Sequence, residues 1–168
     1  MCSSDLEIKM KIRQAVLVDI DTIRYISERT ISEIYPHYYP EGAVKFFLEH
    51  HSEAHIINDI KNNRVFLCLN DAQQAIGTVT IKGNEICRLF VLPSCQGKGY
   101  GTEMLRFAEQ EISARYSTII LDASLPAKKI YLRRGYKDVS FHIIPTGNHD
   151  FLCYDVMEKQ GEKTESFG

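Results

Sequence analysis

Gly97, Gly99 and Gly101 fall within five residues and separate a run that reads as a strand from one that reads as a helix. No other feature restricts the fold as tightly. Glycine reaches positive φ at no steric cost and lets a backbone approach a ligand closely. A helix starting directly after such a turn offers free N–H groups and the positive end of its dipole, an anion cradle. Lys98 adds a cation to the run Gln96-Gly97-Lys98-Gly99-Tyr100-Gly101-Thr102. The chemistry implied is phosphate or pyrophosphate binding; the plain alternative is a tight corner without a ligand. Two other phosphate loops fail on the letters. A Walker loop needs Ser or Thr after its lysine, where Gly99 stands. A dinucleotide fingerprint needs its third glycine where Thr102 stands, and usually opens the first βαβ unit rather than lying in mid-chain.

The rest of the chain switches between two hydrophobic periods. Lys11 to Val16 reads as a strand. From Asp19 on, Ile20, Ile23, Ile26, Ile31 and Ile34 recur at helical spacing, and Asp19 and Asp21 suit the helix start. Tyr35-Pro36 ends that helix, because a residue before proline avoids the helical region. A second helical region spans Gly42 to Lys61, with a break near Ser52. Arg64 to Leu69, Ala75 to Lys82 and Glu85 to Val91 read as an antiparallel meander, with Gly83-Asn84 as a turn. The helix after the glycines puts Gly101, Met104, Leu105, Ala108 and Ile112 on one face. Ser117 to Ala123 is a strand, Ala127 to Arg133 a short helix ended by Gly135, and Tyr136 to Ile144 and Phe151 to Met157 two late strands. This order predicts an α/β sandwich with a mixed sheet. Residues 1–9 read as a loose leader, 10–158 as one domain and 159–168 as a loose tail.

At 168 residues the chain fits one domain, able to bury roughly 70% of its unfolded surface without disulfide or metal. Lys plus Arg total 20 against 22 Asp plus Glu, a net charge of −2, so no global pull toward nucleic acid or an anionic membrane is expected. A polar, acidic start and the lack of any apolar run near ~20 residues argue for neither secretion nor a membrane span. The cysteines number five, with no CxxC, as expected of reduced thiols in the cytoplasm. His51 and His55 are four apart, but no Glu follows His51 and no third ligand is evident, so no metal is expected.

The run Arg88-Leu89-Phe90-Val91-Leu92-Pro93-Ser94-Cys95-Gln96-Gly97-Lys98-Gly99-Tyr100-Gly101 strongly resembles motif A of the GNAT superfamily of acyl-CoA-dependent N-acetyltransferases. Gln96, Gly99 and Gly101 fill its Gln/Arg-x-x-Gly-x-Gly/Ala pattern. Leu121-Asp122-Ala123-Ser124-Leu125-Pro126-Ala127, followed by Tyr131 and Gly135-Tyr136, resembles motif B, with Ser124 where Asn is commoner. The resemblance covers nearly the whole domain, Lys11 to Met157. It implies a GNAT-like α/β (α+β) fold: a mixed, mostly antiparallel sheet of six to seven strands flanked by about four helices. It also implies acetyl-CoA as co-substrate. Backbone groups of Leu89, Phe90 and Val91 would pair with the pantetheine arm. Gln96, Gly97, Lys98, Gly99, Tyr100, Gly101 and Thr102 would hold the pyrophosphate, Ser124 would contact the pantetheine side, and Tyr131 would sit beside the thiol.

The implied reaction is attack of a primary amine of a small molecule or peptide on the acetyl thioester, in a ternary complex. Cys95 has no histidine paired with it, so an acetyl-cysteine intermediate is not expected. An alkyl amine with pKa about 10.4 is neutral to about one part in a thousand near pH 7.4, a deficit of about 4 kcal/mol. A base on the amine side therefore matters more than an acid on the thiol side. The resemblance makes Tyr131 the general acid; the plain alternative is a packing tyrosine. It makes Glu85 the base, through water; the alternative is a solvated carboxylate at a strand start. Asp122 is a weaker candidate. Tyr35 and Tyr38, in Tyr35-Pro36-His37-Tyr38-Tyr39-Pro40, are candidates to line the acceptor site by cation–π contact. Rival readings are a catalytically inactive acyl-CoA-binding module and a protein-lysine or N-terminal acetyltransferase. Late strands of such domains can pair into homodimers.

Overall fold

The structure, a computed structural model, describes residues 9–161. Of the leader 1–9 and tail 159–168 predicted above, residues 1–8 and 162–168 lie outside the described residues. The strands are β1 (Lys11–Gln14), β2 (Val65–Leu69), β3 (Ala75–Lys82), β4 (Glu85–Val91), β5 (Thr118–Ala123), β6 (Lys137–Pro145) and β7 (Phe151–Gln160). The helices are α1 (Ile20–Ile34), α2 (Glu41–His50), α3 (Glu53–Lys61), α4 (Tyr100–Ser113) and α5 (Leu125–Arg133). The break near Ser52 divides the predicted second helical region into α2 and α3. One correction falls at the tail. Lys159 and Gln160 extend β7 and stand opposite Ile119 and Thr118. Lys159 is held there because its ammonium reaches buried Glu109 at 2.9 Å.

All seven strands form one sheet, in the order β1-β2-β3-β4-β5-β7-β6. Only β4 and β5 run parallel; every other neighbouring pair is antiparallel. On one face α4 lays Met104, Leu105, Ala108 and Ile112 against Val79, Ile119 and Leu121. On the other, α1 and α3 lay Ile23, Ile26, Ile56 and Ile60 against Val65, Leu67 and Phe90. Each face follows from the spacing, since side chains three and four apart share one side of a helix. α2 is set against the β6–β7 turn: Gly42 N–H donates to Asp150 Oδ2 at 2.8 Å, and a Cβ on Gly42 would collide with the Gly147 carbonyl.

β4 does not alternate simply. Strict alternation would place Ile86, Arg88 and Phe90 on one face. Instead Ile86 joins the α4 core and Phe90 joins the α1–α3 core. The register explains it. Arg88 stands opposite Thr80 and Ile86 opposite Ile81, so Cys87 has no counterpart and forms a β-bulge. The bulge turns Arg88 toward α3, where it meets Asp59.

Candidate active site

β4 and β5 stand side by side only at Glu85–Ile120 and Ile86–Leu121. From Cys87 onward no strand covers this edge of β4, and the two strands form an open wedge. Backbone polar groups along such an edge need partners from elsewhere. Val91 O has two, Gln96 Nε2 at 3.0 Å and Thr30 Oγ1 at 3.3 Å. Gln96 thus folds back to brace the turn it introduces.

Two cavities meet in the wedge. The larger, about 280 Å³, is lined by Leu89, Phe90 and Val91, by Gln96, Gly97, Gly99, Tyr100, Gly101 and Thr102, and by Ser124 across the gap. Gly97 and Gly99 adopt φ of +76° and +92°, which is why glycine stands there. Gly101 is different. It lies inside α4, and an added Cβ would come no nearer than 3.8 Å to Val91. Neither backbone nor packing demands glycine there, whereas close approach of a ligand to the start of α4 would. Lys98, the cation of the run, is exposed and does not line this cavity. Cys95 does.

The smaller cavity, about 160 Å³, lies on the α2 and β7 side. Its walls include Phe46, Phe47, His50, His51, Cys87, Arg88, Asp122, Tyr131 and Tyr154. Tyr35, Leu89, Phe90 and Ser124 line both cavities, so this is where they meet. The segment after α1 sets this junction. Tyr35 and Tyr39, one turn apart, point inward and are buried. Tyr39 Oη accepts the Leu125 N–H at 2.6 Å, a cap that the Ser124 side chain does not supply to α5. The Tyr35 phenol hydrogen-bonds with Ser124, and burial pushes it up to about 12. Tyr38 departs from expectation. It is 52% exposed and lines neither cavity, because the turn presents it between its two inward neighbours.

The predicted catalytic residues sit differently. Tyr131 is buried on the cavity wall, edge-on to Tyr136 at 5.7 Å, and burial holds its phenol well above the usual tyrosine range. Glu85 is half-buried, and burial and then the Asp122 charge push its carboxyl up. It lines neither cavity. Asp122 does line the smaller one; it is an exposed residue at the cavity's edge, where partial loss of solvent raises its carboxyl against the opposing pull of His142 and His50. Cys87, the thiol in the smaller cavity, is pushed up to about 12, mainly by burial. His55 is outside both cavities, with its Nδ1 3.1 Å from Ser52 Oγ. Among the described residues no three of His, Cys, Asp and Glu are grouped as a metal would need, and no helix is long and apolar enough to cross a membrane.

Sequence reasoning missed Arg88 as a side chain in its own right. It is buried and ion-paired with Asp59, and its Nε donates to His51 Nδ1 at 2.9 Å. That bond places the His51 proton on Nε2, and burial, then the Arg88 charge, holds the ring neutral well below its usual range. The signal was a lone charge inside Ile86-Cys87-Arg88-Leu89-Phe90.

The fold is shared with solved acetyltransferases. A GCN5-related N-acetyltransferase from Rhodopseudomonas palustris superposes with a TM-score of 0.83 at 20% identity, over 92% of this chain and 98% of that one. The PaiA N-acetyltransferase from Thermoplasma acidophilum, solved with coenzyme A, gives 0.68 at 21% identity, over 91% and 99%. YncA from Salmonella typhimurium, solved with acetyl-CoA, gives 0.70 at 13% identity, over 92% and 95%. No curated protein matches by sequence. The family model described as an acetyltransferase (GNAT) domain matches residues 34–151, more than half of the chain. With the glycine turn, the wedge and the helix start in place, this chain belongs to the GNAT acetyltransferase family.

Proposed function

We propose that this protein transfers the acetyl group of acetyl-CoA to a primary amine of a small molecule, by direct attack in a ternary complex. The observation that carries the reading is the meeting of two cavities at Tyr35, Leu89, Phe90 and Ser124. One runs to a helix start with a glycine turn, the other to a compartment of side chains. A thioester at the junction would have its phosphates at one end and the acceptor at the other. That similar folds were solved with coenzyme A and with acetyl-CoA supports the same occupant.

In this reading Leu89 and Val91 offer backbone to the pantetheine arm, and Gly97 to Thr102 receive the pyrophosphate. The amine nitrogen attacks the thioester carbon, an N–C bond forms, and the C–S bond breaks. The ammonium sheds one proton before attack and its nitrogen a second after it; both leave on the carboxylate side, by Asp122 first and Glu85 behind it and on to water, while coenzyme A departs as the thiolate. Their raised carboxyls make better bases than ordinary ones. Tyr131 donates a hydrogen bond to the departing sulfur. Its phenol holds its proton more tightly than a thiol near 8.5 would, so it stabilises the thiolate rather than surrendering a proton fully. Cys87, with almost no thiolate near neutral pH, makes a poor relay nucleophile, which favours direct transfer.

Calorimetry with acetyl-CoA tests the reading, with Gly99→Glu as control. Binding by the wild type that is lost in the variant supports it. No binding by the wild type sinks it. Release of coenzyme A thiol with an amine panel separates an enzyme from an inactive acyl-CoA-binding module.

A further inference from the structure

The smaller cavity carries opposite charges on its two sides. On the β5 lip stands Asp122, for which no hydrogen bond or ion pair is found among the described residues. On the β4 lip stands Arg88, with its side chain 6% exposed. Ile86 is level with Leu121, so Arg88, past the bulge, and Asp122 emerge from adjacent strands where the wedge begins to open.

Arg88 is only partly committed. Nε is used by His51 and Nη1 by Asp59, with Thr80 Oγ1 at 3.4 Å from the same nitrogen. Nη2 has no hydrogen-bond partner among the described residues. Asp59 is not reserved for this cation, since Arg64 and Lys82, both partly exposed, also approach it, each at 3.6 Å. Three cations thus surround one carboxylate, and of the three Arg88 alone lines the cavity. A buried guanidinium with an unspent nitrogen beside a cavity is costly unless water or a ligand accepts from it. His51 cannot be that acceptor twice, because its one free lone pair already receives Nε.

We propose that the acceptor is a free amino acid or a close analogue: a primary amine bearing a carboxylate, its acid group meeting Arg88 Nη2 and its ammonium meeting Asp122. The inference rests on the acetyltransferase reading and adds the substrate class. A guanidinium and a carboxylate matched to both ends of a zwitterion fix its direction, with the amine toward β5 and Ser124. The side chain then lies against Phe46 and Phe47. The size agrees, because a cavity near 150 Å³ holds about one benzene-sized group, and this one is about 160 Å³. A polyamine would leave Arg88 facing a like charge, and a peptide amine brings no carboxylate beside it.

The test compares the common amino acids with the amines that lack only the carboxylate, using acetyl-CoA and the whole chain. The readout is the ratio of kcat/KM within each pair, which does not depend on how much enzyme is folded. A ratio of about 10- to 100-fold in favour of the best amino acid is expected, the worth of one charge-assisted hydrogen bond. Arg88→Lys retains a charge for Asp59 but shortens the reach, and should bring the ratio toward one. Titration of the best amino acid into the protein with coenzyme A bound should show binding that the decarboxylated amine lacks. Equal or better turnover of the decarboxylated amines overturns the inference and leaves the acetyltransferase reading standing. Coenzyme A binding without transfer to any amine overturns both.

Discussion

On one face of the sheet Glu109 gathers Arg134, Lys159 and the Tyr136 phenol, joining α4 to the end of α5 and to β7. On the other face Asp59 gathers Arg88, Arg64 and Lys82, joining α3 to β4 and its neighbours. Both are buried carboxylates among cations. At Glu109 both carboxylate oxygens accept hydrogen bonds, and none of these groups lines either large cavity. At Asp59 the inner cation continues to the wall of the smaller cavity. The same device serves as a clamp on one face and as the wall of a site on the other.

The sharpest test of that contrast is Asp59→Ala. It leaves Arg88 buried without its carboxylate and should cost about 3–5 kcal/mol, read by urea unfolding, with a loss of turnover per folded molecule. Glu109→Ala should cost less, about 1.5–3 kcal/mol, because Arg134 and Lys159 are partly exposed and can reach water. Turnover per folded molecule should be unchanged; a fall as large as that of Asp59→Ala would erase the distinction.

His51 belongs to the Asp59 side and gives it a pH dependence. Its folded pKa lies below the unfolded value of about 6.5, so above that pH both states hold a neutral ring. Below it the unfolded chain binds a proton that the folded chain refuses. Stability should therefore fall with pH by up to about 1.4 kcal/mol per unit, until the folded pKa is reached. Thermal midpoints from about pH 7.5 down to about pH 5.5 should show the slope. His51→Gln, which can still accept from Arg88, should flatten it; an unchanged slope would assign it elsewhere.

The smallest effects separate the two tyrosines. Tyr136→Phe removes a bond to Glu109 and should cost about 0.5–1.5 kcal/mol with turnover intact. Tyr131→Phe should leave stability nearly unchanged and slow turnover about tenfold, without abolishing it. Unaltered turnover would remove Tyr131 from the chemistry.

The glycine turn was legible because its cause is local. Positive φ at Gly97 and Gly99 shows in the letters, as do the Pro36 stop and the period of α4. The bulge at Cys87 was not, because one extra residue leaves a mixed polar and apolar strand readable in either phase. That slip hid Arg88, and with it one wall of the smaller cavity. The compartment also draws on α2, β4, β5 and β7, whose meeting no local pattern encodes. Tyr35 and Tyr38 shared a plausible loop, and only the helical phase told them apart. The resemblance points to Glu85 by its place at the start of the strand that ends at Val91, while Asp122, two residues before Ser124, lines the cavity.

The short seam between β4 and β5 has a mechanical consequence. Strands β1–β4 and β5–β7 form two plates joined by the ladder at Glu85–Ile120 and Ile86–Leu121. On one face α4 lies across the join, in contact with Val91 and Leu121 alike. Past Ile86, cohesion between the plates rests on side chains. An extended ligand in the gap would complete the missing ladder and stiffen the whole sheet. Amide hydrogens of Leu89 and Val91 should then exchange more slowly with solvent when coenzyme A is bound, as a strand gains a neighbour that is not part of the chain.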